Sequence, residues 1–153
     1  DTARYIRRGY ALAVYEDALR RLKAAGITVI VHVILGLPGE DRERMLQTID
    51  YLGGPHRPDG IKLQLLHVLE GTDLAQDWKE GKFSCMEPGE YYDLLCDCLE
   101  RLPPDMVIHR LTGDGPKRIL LAPLWTGDKK RVLNDLNRTL MRRNVRQGAK
   151  YRG

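Results

Sequence analysis

Ile27-Thr-Val-Ile-Val-His-Val-Ile-Leu-Gly-Leu-Pro-Gly-Glu40 is the stretch that decides the fold. From Ile27 to Leu35 nearly every residue is β-branched or apolar, with little alternation. That predicts a strand covered on both faces, as in a parallel sheet. Gly36, Pro38 and Gly39 then break it. Upstream, Leu12, Tyr15, Leu19 and Leu22 recur three and four apart, with Ala18 filling the stripe. They predict an amphipathic helix that Gly26 stops. Downstream, Met45, Leu46, Ile49 and Leu52 mark a second helix over about 41–52, ended by Gly53, Gly54, Pro55 and Pro58.

The same alternation continues. Gly60 to Leu69 reads as a second strand, closed by Glu70-Gly-Thr72. Pro88 is well placed for a first helical turn. The stripe behind it is the cleanest in the chain: Tyr91, Leu94, Leu95, Cys98, Leu99 and Leu102. Pro103-Pro104 terminates that helix, and Met106 to Leu111 reads as a third strand. Helix, strand, helix, strand, helix, strand indicates repeated parallel α/β units. Three strands cannot close a barrel, so they make an open half-sheet or the second half of a barrel. Ala3 to Gly9 reads as the end of a helix with no strand before it, which suggests a piece of a longer protein.

Composition agrees with one domain. The chain has 153 residues, 42% hydrophobic and 30% charged, enough for a sizeable core and unlike a disordered chain. The apolar run at 27–37 is too short to cross a bilayer. Asp1 to Tyr10 lacks the apolar stretch of a signal peptide. Cys85, Cys96 and Cys98 are odd in number and form neither a disulfide framework nor a zinc or iron–sulfur motif. A reducing, cytoplasmic setting follows as the expectation.

Charge is uneven. Residues 1–125 hold 16 Lys and Arg against 19 Asp and Glu, and residues 126–153 hold 9 against 2, so −3 and +7 sum to the net +4. The division at Trp125 separates an α/β part (1–125) from a basic C-terminal helix and tail (126–153). That helix is expected over about 129–143, with Val132, Leu133, Leu136 and Leu140 inward. Lys129-Lys-Arg131, Arg142-Arg143, Arg146, Lys150 and Arg152 suit a phosphate backbone or a solvated helix face with a frayed end. Base readout is not supported, since Tyr151 is the lone aromatic there.

His32, His67 and His109 each precede a glycine by four residues, at Gly36, Gly71 and Gly113. Ligands of parallel α/β folds sit at the carboxyl ends of strands. The three imidazoles therefore read as core or rim histidines, as contacts to a cofactor or substrate in one cavity, or as a tri-histidine metal site. Thr112-Gly-Asp-Gly-Pro-Lys117 is weak as a phosphate loop, because Pro116 lacks a donor and position 118 is Arg.

Four segments in this order resemble the radical S-adenosylmethionine superfamily, and within it an uncharacterised bacterial family of the Elongator-like type. They are Asp1-Thr-Ala-Arg-Tyr-Ile-Arg-Arg-Gly9, Val31 to Glu40 ending in Gly-Leu-Pro-Gly-Glu, Gly60 to Thr72, and Leu121-Ala-Pro-Leu-Trp125. The resemblance implies the second half of a partial (β/α)6 TIM-like barrel. It implies an oxidoreductase or transferase parent. There a [4Fe–4S] cluster on a Cys-x3-Cys-x2-Cys loop cleaves S-adenosylmethionine to a 5′-deoxyadenosyl radical. Carried over position by position, Arg8 matches a cation near the carboxylate or ribose of S-adenosylmethionine. His32 matches a strand position that is often Asp and reaches the ribose. Val33, Ile34, Leu35 and Gly36 match the stretch packed on the adenine, and His67 matches the end of the next strand. The cysteine triplet is absent from these residues. The chain alone is thus expected to hold no cluster or cofactor tightly and to be inactive. Its expected partners are the N-terminal half of the barrel, an RNA through the basic tail, and, for the isolated piece, an edge-paired or swapped homodimer.

Overall fold

A computed structural model describes residues 2–113 and 115–153; Asp1 and Asp114 lie outside the described residues. A short helix α1 (Thr2–Tyr5) precedes α2 (Leu12–Ala24), β1 (Ile30–Leu35), α3 (Arg42–Gly53) and β2 (Gly60–Leu65). β3 (Val68–Leu69), α4 (Asp73–Lys79), α5 (Pro88–Arg101) and β4 (Val107–Arg110) follow. The chain continues through β5 (Leu120–Ala122), a 3₁₀ turn at Leu124–Gly127 and α6 (Lys129–Arg142).

β1, β2 and β4 form one sheet in that order, and both pairings are parallel. α3 and α5 make the two crossovers, as parallel neighbours require. Asp41 starts α3 by accepting the Arg44 N–H at 2.9 Å. The α3 and α5 stripes read from the sequence close on one face of the sheet, whereas Leu12 and Leu22 of the α2 stripe stay exposed. Met45, Leu46, Ile49 and Leu52 of α3 and Tyr91, Leu94, Leu95, Cys98 and Leu102 beside them pack on Val33, Leu35, Ile61, Leu63 and Leu65.

Two expectations are corrected. The first strand is covered by helices on one face only: Val33 and Leu35 are buried while His32 is exposed and Ile34 is 37% exposed. Ile27–Val29 also fall before the strand. The stretch expected as one strand from Gly60 to Leu69 is two. After Leu65 the chain turns, and Val68–Leu69 pairs antiparallel with Leu120–Ala122 in a separate small sheet. Val68, Ala75 and Ala122 form that sheet's own core, packed by Trp78 and Phe83.

The tail is tied down rather than frayed. Gln147 donates from Nε2 to the carbonyls of Pro103 and Met106, both at 2.7 Å. The N–H groups of Gly148 and Lys150 bond the α5 carbonyls of Leu99 and Glu100 at 3.1 and 2.7 Å. The Tyr151 hydroxyl donates to the Gly53 carbonyl at the end of α3, at 2.8 Å. The last carbonyls of a helix have no partner of their own, so this tail completes two helix ends at once. Its cations take part: Arg143 Nη2 lies 2.7 Å from Asp97 and Lys150 Nζ 2.6 Å from Glu100. Arg42 joins from α3 by an ion pair to Asp97.

Candidate nucleoside cavity and the sheet face beside it

β1 has one strand neighbour, β2, and its other edge is unpaired among the described residues. The Leu35 carbonyl accepts from Leu66 N–H at 2.9 Å, on the β2 side. Alternation then turns the amides and carbonyls of His32 and Ile34 to the free edge. Along that edge, between the segment before α2 and helix α3, lies a cavity of about 350 Å³. Arg8, His32, Val33, Ile34 and Leu35 all line it.

Two neighbouring arginines part ways here. Arg8 turns inward, its guanidinium 4.9 Å from the Tyr10 ring centre and its Nη2 3.2 Å from the Tyr10 carbonyl. Arg7 turns outward and pairs with Asp73. Gly36 closes the strand at φ 80°, and its N–H points at Met45 Sδ at 3.1 Å. A Cβ at Gly36 would stand 3.2 Å from Leu65 Cδ1 and 3.4 Å from Met86 Sδ. Only glycine suits that backbone and that gap.

Tyr10, Tyr15, Tyr51 and Glu40, which the sequence did not single out for a site, also line the cavity. Burial raises the Tyr15 hydroxyl to about 12. Burial, and then the hydrogen bond to Glu16 at 2.7 Å, raises Tyr51 likewise to about 12. Both phenols therefore act as neutral hydrogen-bonding groups at ordinary pH. Burial also holds the Glu40 carboxyl above its usual range, against opposing contributions from Thr2 and Arg44. Glu40 ends the Gly-Leu-Pro-Gly-Glu turn, so its place in that motif was the available signal.

The three histidines do not share one cavity. His32 lines the cavity on β1. His109 lies against Gly60 at the start of β2, where a glycine Cβ would come within 2.9 Å of its ring. His67 lies past the end of β2, with Nδ1 2.9 Å from the Leu65 carbonyl and Nε2 3.1 Å from Thr126 Oγ1. The loop at Gly113 and Gly115 closes over its ring, at 2.6 and 3.0 Å from added Cβ positions. Among the described residues no three His, Cys, Asp or Glu side chains come together as a metal site. Cys96 and Cys98 are buried in α5, and Cys98 is raised to about 12 by burial. Such thiols are inert as ligands and nucleophiles.

Parallel strands joined by covering helices, with a glycine-terminated edge strand beside a cavity, define a fragment of a TIM-like α/β barrel. The family model of the Radical_SAM C-terminal domain matches residues 58–142, and the chain belongs to that family. It is 38% identical over 147 residues to uncharacterized protein YtqA of Bacillus subtilis, across 96% of this chain and 45% of that one. It is 31% identical over 148 residues to protein YhcC of Escherichia coli, across 97% of this chain and 48% of that one. Elongator complex protein 3 of Danio rerio is 30% identical over 134 residues, across 86% of this chain and 24% of that one. In fold it matches Elp3 of the archaeon Methanocaldococcus infernus with a TM-score of 0.78 at 22% identity, over 95% of this chain and 34% of that one. The chain spans less than half the length of these relatives. The radical S-adenosylmethionine resemblance and the barrel-type α/β fold therefore hold. No helix among the described residues is long and apolar enough to cross a membrane.

Proposed function

We propose that this chain supplies one wall of the S-adenosylmethionine site of a radical enzyme, and that the rest of the barrel docks along the free edge of β1. One observation carries the reading: Arg8 and four consecutive residues, His32 to Leu35, border one cavity beside an unpaired strand edge. The residues fit the nucleoside end of the cofactor. Ile34 and the free edge of β1 suit a flat base, His32 can bond a hydroxyl, and Arg8 suits a carboxylate. Gly36 lets the backbone approach closely.

The donor set does not fit the iron–sulfur cluster, because the three cysteines are scattered or buried. In this proposal the cluster's ligands come from the other half of the barrel. When bound there, the cluster and S-adenosylmethionine together supply hydrogen abstraction from a substrate. The present residues bind, orient and exclude water. Gly36, beside the cavity, and His67, outside it, are assigned to support: Gly36 ends the strand, and His67 fixes the Gly113 loop against Thr126. A cytoplasmic setting belongs to the same proposal, since the three thiols are free.

The test is binding of S-adenosylhomocysteine, followed by NMR on this chain. Shifts confined to Arg8, Tyr10, His32 and Ile34, weakened about tenfold in Arg8→Ala, are expected. Saturating ligand that leaves those signals unmoved overturns the reading.

A second reading rests on the cations the fold leaves unused. Arg143 and Lys150 are committed to α5, whereas Lys130, Arg142, Arg146 and Arg152 are exposed and carry no ion pair among the described residues. They suit a polyanion such as RNA. A salt-dependent gel shift that survives loss of those four charges sinks it.

A further inference from the structure

The sheet face that the helices leave uncovered has its own chemistry. β1, β2 and β4 read Ile-Val-His-Val-Ile-Leu, Gly-Ile-Lys-Leu-Gln-Leu and Val-Ile-His-Arg, with no Asp or Glu. The register sets His32 opposite Lys62 and, across a bulge at His109 that shifts the pairing after Ile61, Lys62 opposite Arg110. Residues of β2 that face the core are Ile61, Leu63 and Leu65, so Gly60, Lys62 and Gln64 face the other way. The His109 ring lies against Gly60 and thus on this same face.

Like charges directly opposite on neighbouring strands are destabilising. Lys62 is half-buried and Arg110 exposed, and neither has a carboxylate or hydrogen-bond partner among the described residues. Asp59, three residues before Lys62, is already committed: it accepts the Val29 N–H at 2.8 Å and pairs with Lys23. The row has a floor and a ceiling. Gly60 keeps the floor flat, since a Cβ there would stand 2.9 Å from both His109 and the Val107 carbonyl. The Gly113 loop closes the upper end, where an added Cβ would stand 3.4 Å from Gln64 Cβ.

We propose that this row, Lys62 and Arg110 flanked by His109 and His32, binds the phosphate groups of the substrate. The inference deepens the reading above by naming the chemical class of the second ligand. Three strands about 4.8 Å apart spread the donors over roughly 10 Å. A lone carboxylate is too small to reach across that span. Two linked phosphates fill it, with oxygens for the Lys62 ammonium and the Arg110 guanidinium fork. His32 ends the row and also lines the cavity, so the anion would lie next to the proposed nucleoside. Adjacent sites are what a hydrogen transfer between two bound ligands needs.

The probe is pyrophosphate, with acetate as the carboxylate comparison, read by NMR of the histidine rings at constant ionic strength. Pyrophosphate is expected to move His109 and His32, to leave His56 in place, and to bind at least about tenfold more tightly than acetate. Lys62→Met with Arg110→Met should weaken it by about a hundredfold. Arg20→Met with Arg21→Met, exposed on α2, should change nothing. If the double variant fails to fold, Lys62→Gln alone is expected to cost about tenfold. Equal affinity in the double variant, or shifts spread over the tail, overturns the site. A short oligonucleotide without terminal phosphate that matches pyrophosphate assigns the anion to a nucleic-acid backbone; one that does not assigns it to a small phosphorylated ligand. S-adenosylhomocysteine binding is measured on the same variants. Its retention with loss of pyrophosphate binding upholds the site, whereas its failure alone strikes only the cavity reading.

Discussion

Tyr151, near one end of the chain, closes on the Gly53 carbonyl at 2.8 Å, while at the other end Tyr5, Tyr10, Leu12 and Val14 remain 43–55% exposed. The C-terminal segment is polar and spends its polar groups on helix ends. The N-terminal one is mixed in composition and leaves its large apolar and aromatic side chains exposed. Polar composition therefore does not separate the tail from the fold, and apolar side chains do not place the head inside it. What separates them is whether a partner with unsatisfied groups lies within reach. The last carbonyls of α5, which have no partner within the helix, offered one to the tail. The free edge of β1 is the counterpart at the head, and its partner lies beyond these residues in the proposal above.

Removing residues 147–153 should have the largest effect on the fold. The carbonyls of Pro103, Met106, Leu99, Glu100 and Gly53 would each lose a donor, and the Glu100 carboxylate would lose Lys150. At about 1 kcal/mol per bond the loss is about 4–5 kcal/mol, a large share of a small domain's stability. Urea unfolding checks it. An unchanged midpoint would make the tail an ornament and the comparison empty.

A single atom tests the same point. Gly148 sits at φ 79°, and a Cβ there would stand 2.9 Å from Pro104 Cβ. Gly148→Ala combines a disfavoured backbone with a rigid clash, so about 2–3 kcal/mol is expected in the same measurement.

Asp97 links the tail to α3 and carries a pH signature. Burial pushes its carboxyl up, but the bonds to Arg143 and Arg42 outweigh that and hold it below 3.8. A carboxylate lower in the folded state stabilises above its unfolded value, and that contribution is lost as pH falls through the folded one. The wild-type chain should therefore lose about 1 kcal/mol more than Asp97→Asn on acidification from pH 5 to about 2. Parallel stability curves for the two proteins would remove Asp97 from the account.

The sequence was informative where one residue meets its near neighbours. The stripe from Tyr91 to Leu102 and the apolar run into Gly36 name their elements, because a period of three to four or a β-branched run is a local property. The break at Leu66–His67 is not local. It exists because Val68 and Leu69 pair with a three-residue strand some fifty residues later, and strands that short leave no pattern. α4 had one local sign, Thr72 accepting from the Ala75 N–H at 3.1 Å, in a segment too short to show a stripe. For the site, motif matching singled out Arg8 and His32 to Leu35, which border one cavity. It could not separate His67 and His109, whose spacing to glycine is the same but whose strands end at different heights. Nor could it show the cation row, which needs the register of three strands.

The smallest effect sits at the head. Ile34 lies on the uncovered face and is 37% exposed. Ile34→Lys removes little buried contact, so unfolding should move by no more than about 0.5 kcal/mol. Its consequence should appear between molecules instead. An unpaired strand edge with apolar neighbours templates pairing with another chain, and a charge on it is how sheet proteins prevent that. If copies of this chain pair through β1, sedimentation at high concentration should show less association for the lysine variant, at unchanged stability. If association is the same in both, the exposed residues of the head do not meet through β1, and the pairing proposal for the isolated chain is lost while the fold is untouched.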